Sequence, residues 1–64
     1  MQGKVKWFDV QNGYGFIEQE EDDMDVFVHI SDVDPNILLE TGDKVQFEIE
    51  PALKGLKARN VTKI

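Results

Sequence analysis

Aromatic side chains gather on one face of two predicted strands. Alternation along the first strand places Tyr14 and Phe16 on the same face. Along the second, it places Phe27 and His29 together. Because successive side chains of a strand point to opposite sides, burying the other set turns these four towards solvent. Flat rings exposed together are suited to stacking against unpaired nucleobases, which is chemistry of contact rather than of bond making.

The opposite face of the same two strands is aliphatic. It carries Ile17 on the first strand and Val26, Val28 and Ile30 on the second, and we expect this set to form the core. Gly15 lies between the two rings of the first strand. Because it has no side chain, we expect a neighbouring strand to approach closely there.

Charge and length narrow the class of protein. The 64 residues include 7 Lys and Arg against 13 Asp and Glu, for a formal net charge of −6, and no Cys. This length suits a single domain over residues 1–64. The lack of a long apolar run and of a signal-peptide pattern predicts a cytoplasmic protein with no membrane contact. The acidic balance opposes phosphate binding, so the position of each cation matters more than the sum.

Five short strands and no long helix are predicted. They cover Gly3–Val10, Tyr14–Gln19, Val26–Ile30, Lys44–Glu50 and Leu56–Ile64. Asn12-Gly13 is typical of a hairpin turn, Ser31 of the N-cap of one helical turn, and Pro51 of a strand end. A closed sheet protects the edges of such short strands. We therefore predict an all-β fold, a small five-stranded antiparallel barrel of the OB type.

Two positions depart from simple alternation. Strict alternation buries Trp7 beside Val5 and exposes Phe8, whereas a bulge exposes part of both rings, and the sequence leaves both possibilities open. In the last strand, the expected inward residues Ala58 and Val61 are three positions apart. This spacing indicates a bulge there as well.

Three motifs resemble the cold-shock domain family, and the similarity extends over essentially the whole chain. They are Gly3-Lys4-Val5-Lys6-Trp7-Phe8, Gly13-Tyr14-Gly15-Phe16-Ile17 and Asp25-Val26-Phe27-Val28-His29. The resemblance implies a five-stranded OB-type barrel that binds single-stranded RNA and DNA. The positions that match the family's nucleic-acid contacts are Lys6, Trp7, Tyr14, Phe16, Phe27 and His29. Lys57 is a further cation that is absent from the family pattern. We expect it to contact the sugar-phosphate backbone of a bound nucleic acid.

The chain also departs from the family pattern. Asn12 replaces a lysine, Asp9 replaces an asparagine, and Ile30 replaces the aromatic residue after the histidine. The connection over residues 35–41 is shorter and lacks the usual exposed Phe, offering instead Ile37, Leu38 and Leu39. Each stacked base contributes roughly 1–3 kcal/mol, so two missing rings predict weakened binding unless other contacts compensate.

The leading hypothesis is a passive single-stranded nucleic-acid-binding protein. By resemblance it acts as an RNA chaperone, transcription antiterminator or gene-expression regulator, as a monomer, with a mild preference for pyrimidines. The alternative is a barrel of the same fold with weakened nucleic-acid affinity. That barrel serves as an engineered scaffold or as a protein-interaction module, through an apolar patch of Ile30, Ile37, Leu38 and Leu39.

Enzymatic chemistry is not expected. The chain has one His, one Ser and no Cys, and nothing in the pattern supplies an orienting acid or an oxyanion site. Asp23-Met24-Asp25 lacks the glycine and the distal glutamate of an EF-hand loop. We therefore predict no catalytic residues, metal, cofactor or small-molecule substrate.

Overall fold

Five strands form a closed ring in the part of the chain that the structure describes. The computed structural model describes residues 1–21, 24–53 and 55–64. The strands are β1 (Gln2–Asp9), β2 (Tyr14–Gln19), β3 (Asp25–His29), β4 (Lys44–Ala52) and β5 (Gly55–Lys63). They close into a barrel in the order β1-β2-β3-β5-β4, which confirms the predicted five-stranded barrel. Within the described residues, no helix is long and apolar enough to cross a membrane.

One seam of the barrel is parallel, so the expectation of antiparallel pairing throughout is wrong at this seam. Four neighbouring pairs are antiparallel. In contrast, β3 meets β5 in parallel, with Phe27 opposite Lys57. A ring with an odd number of strands cannot reverse direction at every seam. Closure of five strands therefore leaves a parallel pair.

Aliphatic side chains seal the inside of the barrel. Ile17 of β2 and Val26 and Val28 of β3 have 0% exposure, as their alternation predicts. They pack in one cluster with Val5, Val33, Leu39, Val45, Phe47, Ala58 and Val61. Ile30 does not join them and is 47% exposed, so its predicted burial is wrong. β3 ends at His29, and Ile30 begins a short 3₁₀ turn (Ile30–Asp32) in which no residue is buried.

A bulge in β1 decides where Trp7 points. Val5 lies opposite Ile17 but Trp7 lies opposite Phe16, so Lys6 is an extra residue on β1. The bulge therefore moves Trp7 to the outer side, where it is 39% exposed.

The predicted bulge in β5 is also found. The register between β4 and β5 shifts between Gln46 and Glu48. On the β5 side, Asn60 adopts a left-handed φ of 53°. This local turn lets Ala58 and Val61 both point inward despite their spacing.

Two predicted ends are wrong for local reasons. β4 continues through Pro51, which pairs with Leu56 of β5. In the described chain β1 pairs with β4 only near its start, opposite Lys44–Gln46, so the missing N–H of Pro51 faces no second strand. The N-cap of the 3₁₀ turn is His29 rather than Ser31.

Candidate nucleic-acid interface

Cross-strand pairs of β2 and β3 build the outer surface. Tyr14 lies opposite His29, and Phe16 lies opposite Phe27. The three rings are half-buried and His29 is exposed, on the side away from the aliphatic core. The β1 bulge adds Trp7 beside them. We call Trp7, Tyr14, Phe16 and Phe27 the ring cluster.

The four rings of the ring cluster contact one another in a continuous surface. Trp7 lies 5.4 Å, between ring centroids, from both Tyr14 and Phe16. Phe27 lies 5.9 Å from Tyr14 in a stacked arrangement and 5.8 Å from Phe16 edge-on. Such spacings are favourable for aromatic pairs, so the rings support each other's orientation while part of each stays open.

Gly15 sets the distance between β1 and β2. A Cβ atom at this position would lie 2.8 Å from the Cα of Phe8 and would also collide with the backbone oxygen of Trp7. Glycine therefore allows the two strands to approach. This close approach brings Trp7 into contact with the rings of Tyr14 and Phe16.

The β1–β2 turn is held by the carboxylate of Asp9. It accepts backbone N–H groups from Gln11 at 3.0 Å and Asn12 at 3.2 Å, and the Asn12 side-chain amide at 2.6 Å. These hydrogen bonds, those from Asn12 first, hold the pKa of Asp9 below its ordinary value. Gly13 completes the turn at φ 73°. Asn12, which stands where the family pattern has a lysine, thus has a structural role.

The His29 ring is fixed through one nitrogen. Its Nδ1 accepts the backbone N–H of Ser31 at 3.1 Å and lies 2.9 Å from the Ser31 hydroxyl. Because Nδ1 accepts, the neutral ring carries its proton on Nε2, on the side away from Ser31. The imidazole face and the Nε2–H group are therefore presented beside Tyr14.

The cations near the ring cluster are paired with carboxylates. Lys6 Nζ lies 3.0 Å from Asp25 Oδ2, and this hydrogen bond, with the charge of Asp25, raises the pKa of Lys6. Arg59 Nε lies 3.3 Å from Glu50. Lys57, next to Phe27 across the parallel seam, has Nζ 3.9 Å from Glu50 and 4.0 Å from Asp32.

An apolar groove that the sequence analysis did not identify adjoins the ring cluster. Its volume is about 580 Å³, and Phe16 and Phe27 line one part of it. Leu53 and Leu56 of the β4–β5 hairpin line another part, and Leu53 is fully exposed. No period in the sequence signals this groove, because closure of the barrel brings the hairpin beside β2 and β3.

The apolar patch and the calcium site that the sequence analysis considered can also be compared with the structure. Leu39 is 3% exposed and Ile37 packs against the core, whereas Leu38 is 56% exposed. The apolar patch expected from these residues is therefore wrong as a single surface. Within the described residues, no group of three or more His, Cys, Asp and Glu could hold a metal. Asp23, considered above for calcium, lies outside those residues.

A closed barrel of five short strands in this order is of the OB type, a fold class that binds oligonucleotides and oligosaccharides. The chain belongs to the cold-shock family: residues 1–64 match the "Cold-shock" DNA-binding domain. Proteins of this family bind single-stranded nucleic acids.

Named relatives and a solved structure agree with this assignment. The chain is 48% identical to the major cold shock protein of Micrococcus luteus over 64 residues, covering 97% of this chain and 96% of the relative. It is 48% identical to cold shock-like protein CspC of Bacillus cereus, covering 100% of both. The structure of drosophila Unr CSD456 matches with a TM-score of 0.83 at 23% identity. That match covers 98% of this chain and 26% of the longer chain and shows the shared fold.

Proposed function

We propose that this protein binds single-stranded RNA and DNA by stacking unpaired bases on the ring cluster and His29. The observation that carries the proposal is the contrast between 0% exposure of Ile17, Val26 and Val28 and the open rings on the other side of the same strands. Lys6 and Lys57 border the rings and are the cations that a bound strand would pass. The apolar groove extends the surface that a base can cover.

The cellular role that fits this surface is passive. A base stacked on a protein ring is withdrawn from pairing in the RNA, so binding keeps RNA unpaired without ATP. We therefore propose action as an RNA chaperone or transcription antiterminator in the cytoplasm, as a monomer. Because every base has a π-face, the preference among bases is mild and favours pyrimidines.

A fluorescence titration tests the binding proposal. Trp7 is the single tryptophan of the chain and belongs to the ring cluster, so its emission reports on stacking directly. Oligo-dT and oligo-rU of equal length are added to the protein at low salt. Quenching that saturates is expected, and unchanged emission at micromolar protein would contradict the proposal.

Two alanine variants locate the site. Phe27→Ala is expected to weaken binding by about 1–3 kcal/mol, a roughly five- to 150-fold rise in Kd. Leu38→Ala is the matched control, since Leu38 is exposed in the loop considered for the protein-interaction alternative. Its affinity is expected to match that of the parent chain. Circular dichroism shows whether both variants keep the barrel. Equal affinity of the two variants would remove Phe27 from the site.

A further inference from the structure

The turn between β1 and β2 contains Asn12-Gly13, the single asparagine–glycine pair of the sequence. An asparagine that precedes glycine can lose its side-chain amide, because glycine has no Cβ to keep its backbone nitrogen away from the Cγ atom of the asparagine. The other two asparagines, Asn36 and Asn60, precede β-branched residues, which crowd the same approach. Asn12 is therefore the asparagine of this chain whose loss of amide is least hindered by its neighbour.

The reaction at Asn12 needs only water as a co-reactant. The Gly13 nitrogen gives up its proton to solvent and forms a bond to Cγ of Asn12. The Cγ–Nδ2 bond then breaks, and Nδ2 takes up a proton and leaves as ammonia. One water molecule opens the resulting cyclic imide at either of its two C–N bonds. The products are an aspartate or an isoaspartate at position 12, each with one more negative charge than the original side chain.

Asp9 holds both reacting groups in the folded turn. Its Oδ2 accepts a hydrogen bond from the Asn12 side-chain amide at 2.6 Å, and its backbone oxygen accepts the Gly13 N–H at 2.8 Å. A nitrogen whose proton is donated to a carbonyl is harder to deprotonate. Rotation of the Asn12 amide towards that nitrogen also costs its bond to the carboxylate, and a hydrogen bond to a charged group is among the stronger ones.

We propose that Asn12 is a modification site, at which the Gly13 nitrogen displaces the side-chain amide, and that the Asp9 carboxylate slows this reaction by holding the amide in the folded turn. Asn12 is exposed, so water and base reach it whenever the turn opens. Hydrogen bonds, first that from the backbone N–H of Asn12, hold the pKa of Asp9 below its ordinary value. Asp9 is therefore ionised, and the restraint present, at the neutral and higher pH where the amide is lost.

The modified chain cannot form the same turn again. A carboxylate at position 12 accepts where the amide donated, so it repels the Asp9 carboxylate instead of bonding it. An isoaspartate also adds one carbon to the backbone just before Gly13, whose carbonyl accepts the Ile30 N–H at 2.9 Å. The change therefore reaches from the β1–β2 turn to the end of β3, and it is not reversed by refolding.

Peptide mass spectrometry tests the proposal without any nucleic acid. The protein is kept at mildly alkaline pH, once folded and once in denaturing urea, and the mass gain at each asparagine is followed with time. Methylation by an isoaspartyl methyltransferase detects the isoaspartate product. In urea, conversion is expected at Asn12 ahead of Asn36 and Asn60, and conversion of Asn12 is expected to be slower in the folded protein. Asp9→Ala is expected to raise the folded-state rate about tenfold, which corresponds to about 1.4 kcal/mol in the opening of the turn.

Asp43→Ala is the matched control for Asp9→Ala. The Asp43 carboxylate accepts the backbone N–H of Glu40 at 2.9 Å in the turn before β4, so its loss weakens a different turn. The rate at Asn12 is expected to match that of the parent chain in this variant. Equal acceleration by both variants would overturn the local role of Asp9, since a general loss of stability would explain both.

Two further results would overturn the proposal. An Asp9→Ala rate equal to that of the parent would show that the carboxylate does not restrain the amide. Conversion of Asn36 or Asn60 ahead of Asn12 in urea would show that the asparagine–glycine pair is not the reactive position.

Discussion

The two sides of β2 and β3 are built from alternating residues of the same short segments, yet they differ in every physical respect. On the inner side, Ile17 and Val28 are fully buried among aliphatic neighbours. On the outer side, Phe16 and Phe27 are half-buried and reach solvent. The backbone is common to both. Substitutions on the inner side should therefore change mainly the stability of the barrel, whereas substitutions on the outer side should change mainly the exposed ring surface.

The largest effect is expected on the inner side. Ile17→Ala removes buried methyl groups and leaves a cavity, and should lower the free energy of unfolding by about 2–5 kcal/mol. In a domain this small that is a large share of the total stability. Urea denaturation followed by circular dichroism measures the change.

Phe16→Ala is the control for Ile17→Ala, since it is the adjacent residue on the outer side. Its two ring contacts are worth about 0.5–1.5 kcal/mol each and predict a smaller loss of about 1–3 kcal/mol in stability. Similar losses of stability in the two variants would contradict the separation of the two sides.

A substitution at Gly15 is expected to cause a smaller loss of stability and, at the same time, to move the ring cluster. Gly15→Ala places a Cβ atom against the backbone of Trp7 and Phe8, so β1 must move away from β2. We expect a loss of about 1–3 kcal/mol in the free energy of unfolding, by thermal melting, because the strands are overpacked. The displacement should also shift the emission of Trp7 in the unbound protein. An unchanged melting temperature together with unchanged emission would show that the strands accommodate the methyl group.

The smallest effect is expected at the turns, which belong to neither side. The folded-state pKa values of Asp9 and Asp43 are lowered, mainly by backbone N–H groups of Asn12 and Glu40 respectively. Their contribution to stability is therefore present above the unfolded pKa of about 3.9 and is lost as the pH falls through the lower folded value. The melting temperature should therefore decline once the pH is lowered below about 4, the reference pKa of an aspartate. A series of thermal melts from neutral pH downwards measures this decline.

Asp9→Asn isolates one of these turns. The Oδ1 atom of an asparagine can still accept hydrogen bonds from the N–H groups of Gln11 and Asn12. The asparagine side chain, however, has no proton to gain near the reference pKa of Asp, about 4. The acid-induced decline should therefore be shallower in this variant. Glu20→Gln removes the same charge from a residue outside the turns and serves as the control. Identical acid profiles for Asp9→Asn and the parent would exclude Asp9 as a source of the decline.

Local alternation made much of the barrel predictable from the sequence. Whether Ile17 or Phe16 points inward depends only on its immediate neighbours and on which set is aliphatic. The position of Trp7 could not be decided in this way. It depends on the extra residue Lys6, and a bulge leaves no unique local signal. Ile30 was mispredicted because β3 ends one residue before it.

The charges of the site were the least predictable part. Lys6 and Asp25 are separated by 19 positions in the chain. Their contact exists because β1, β2 and β3 are aligned in one register, which no composition or spacing reveals. The same holds for Leu53, which meets the ring cluster through a groove only after the barrel has closed. Sequence reasoning therefore found the rings but not the groups that surround them.

The parallel seam has a consequence for how a bound strand would affect the barrel itself. Phe27 belongs to the ring cluster. Its backbone is also the part of β3 that pairs with Lys57 of β5 at the parallel seam. A base resting on Phe27 would lie across this junction and resist its opening. The barrel with a bound ligand should therefore unfold less readily than the empty barrel, because the ligand stabilises the same fold that binds it.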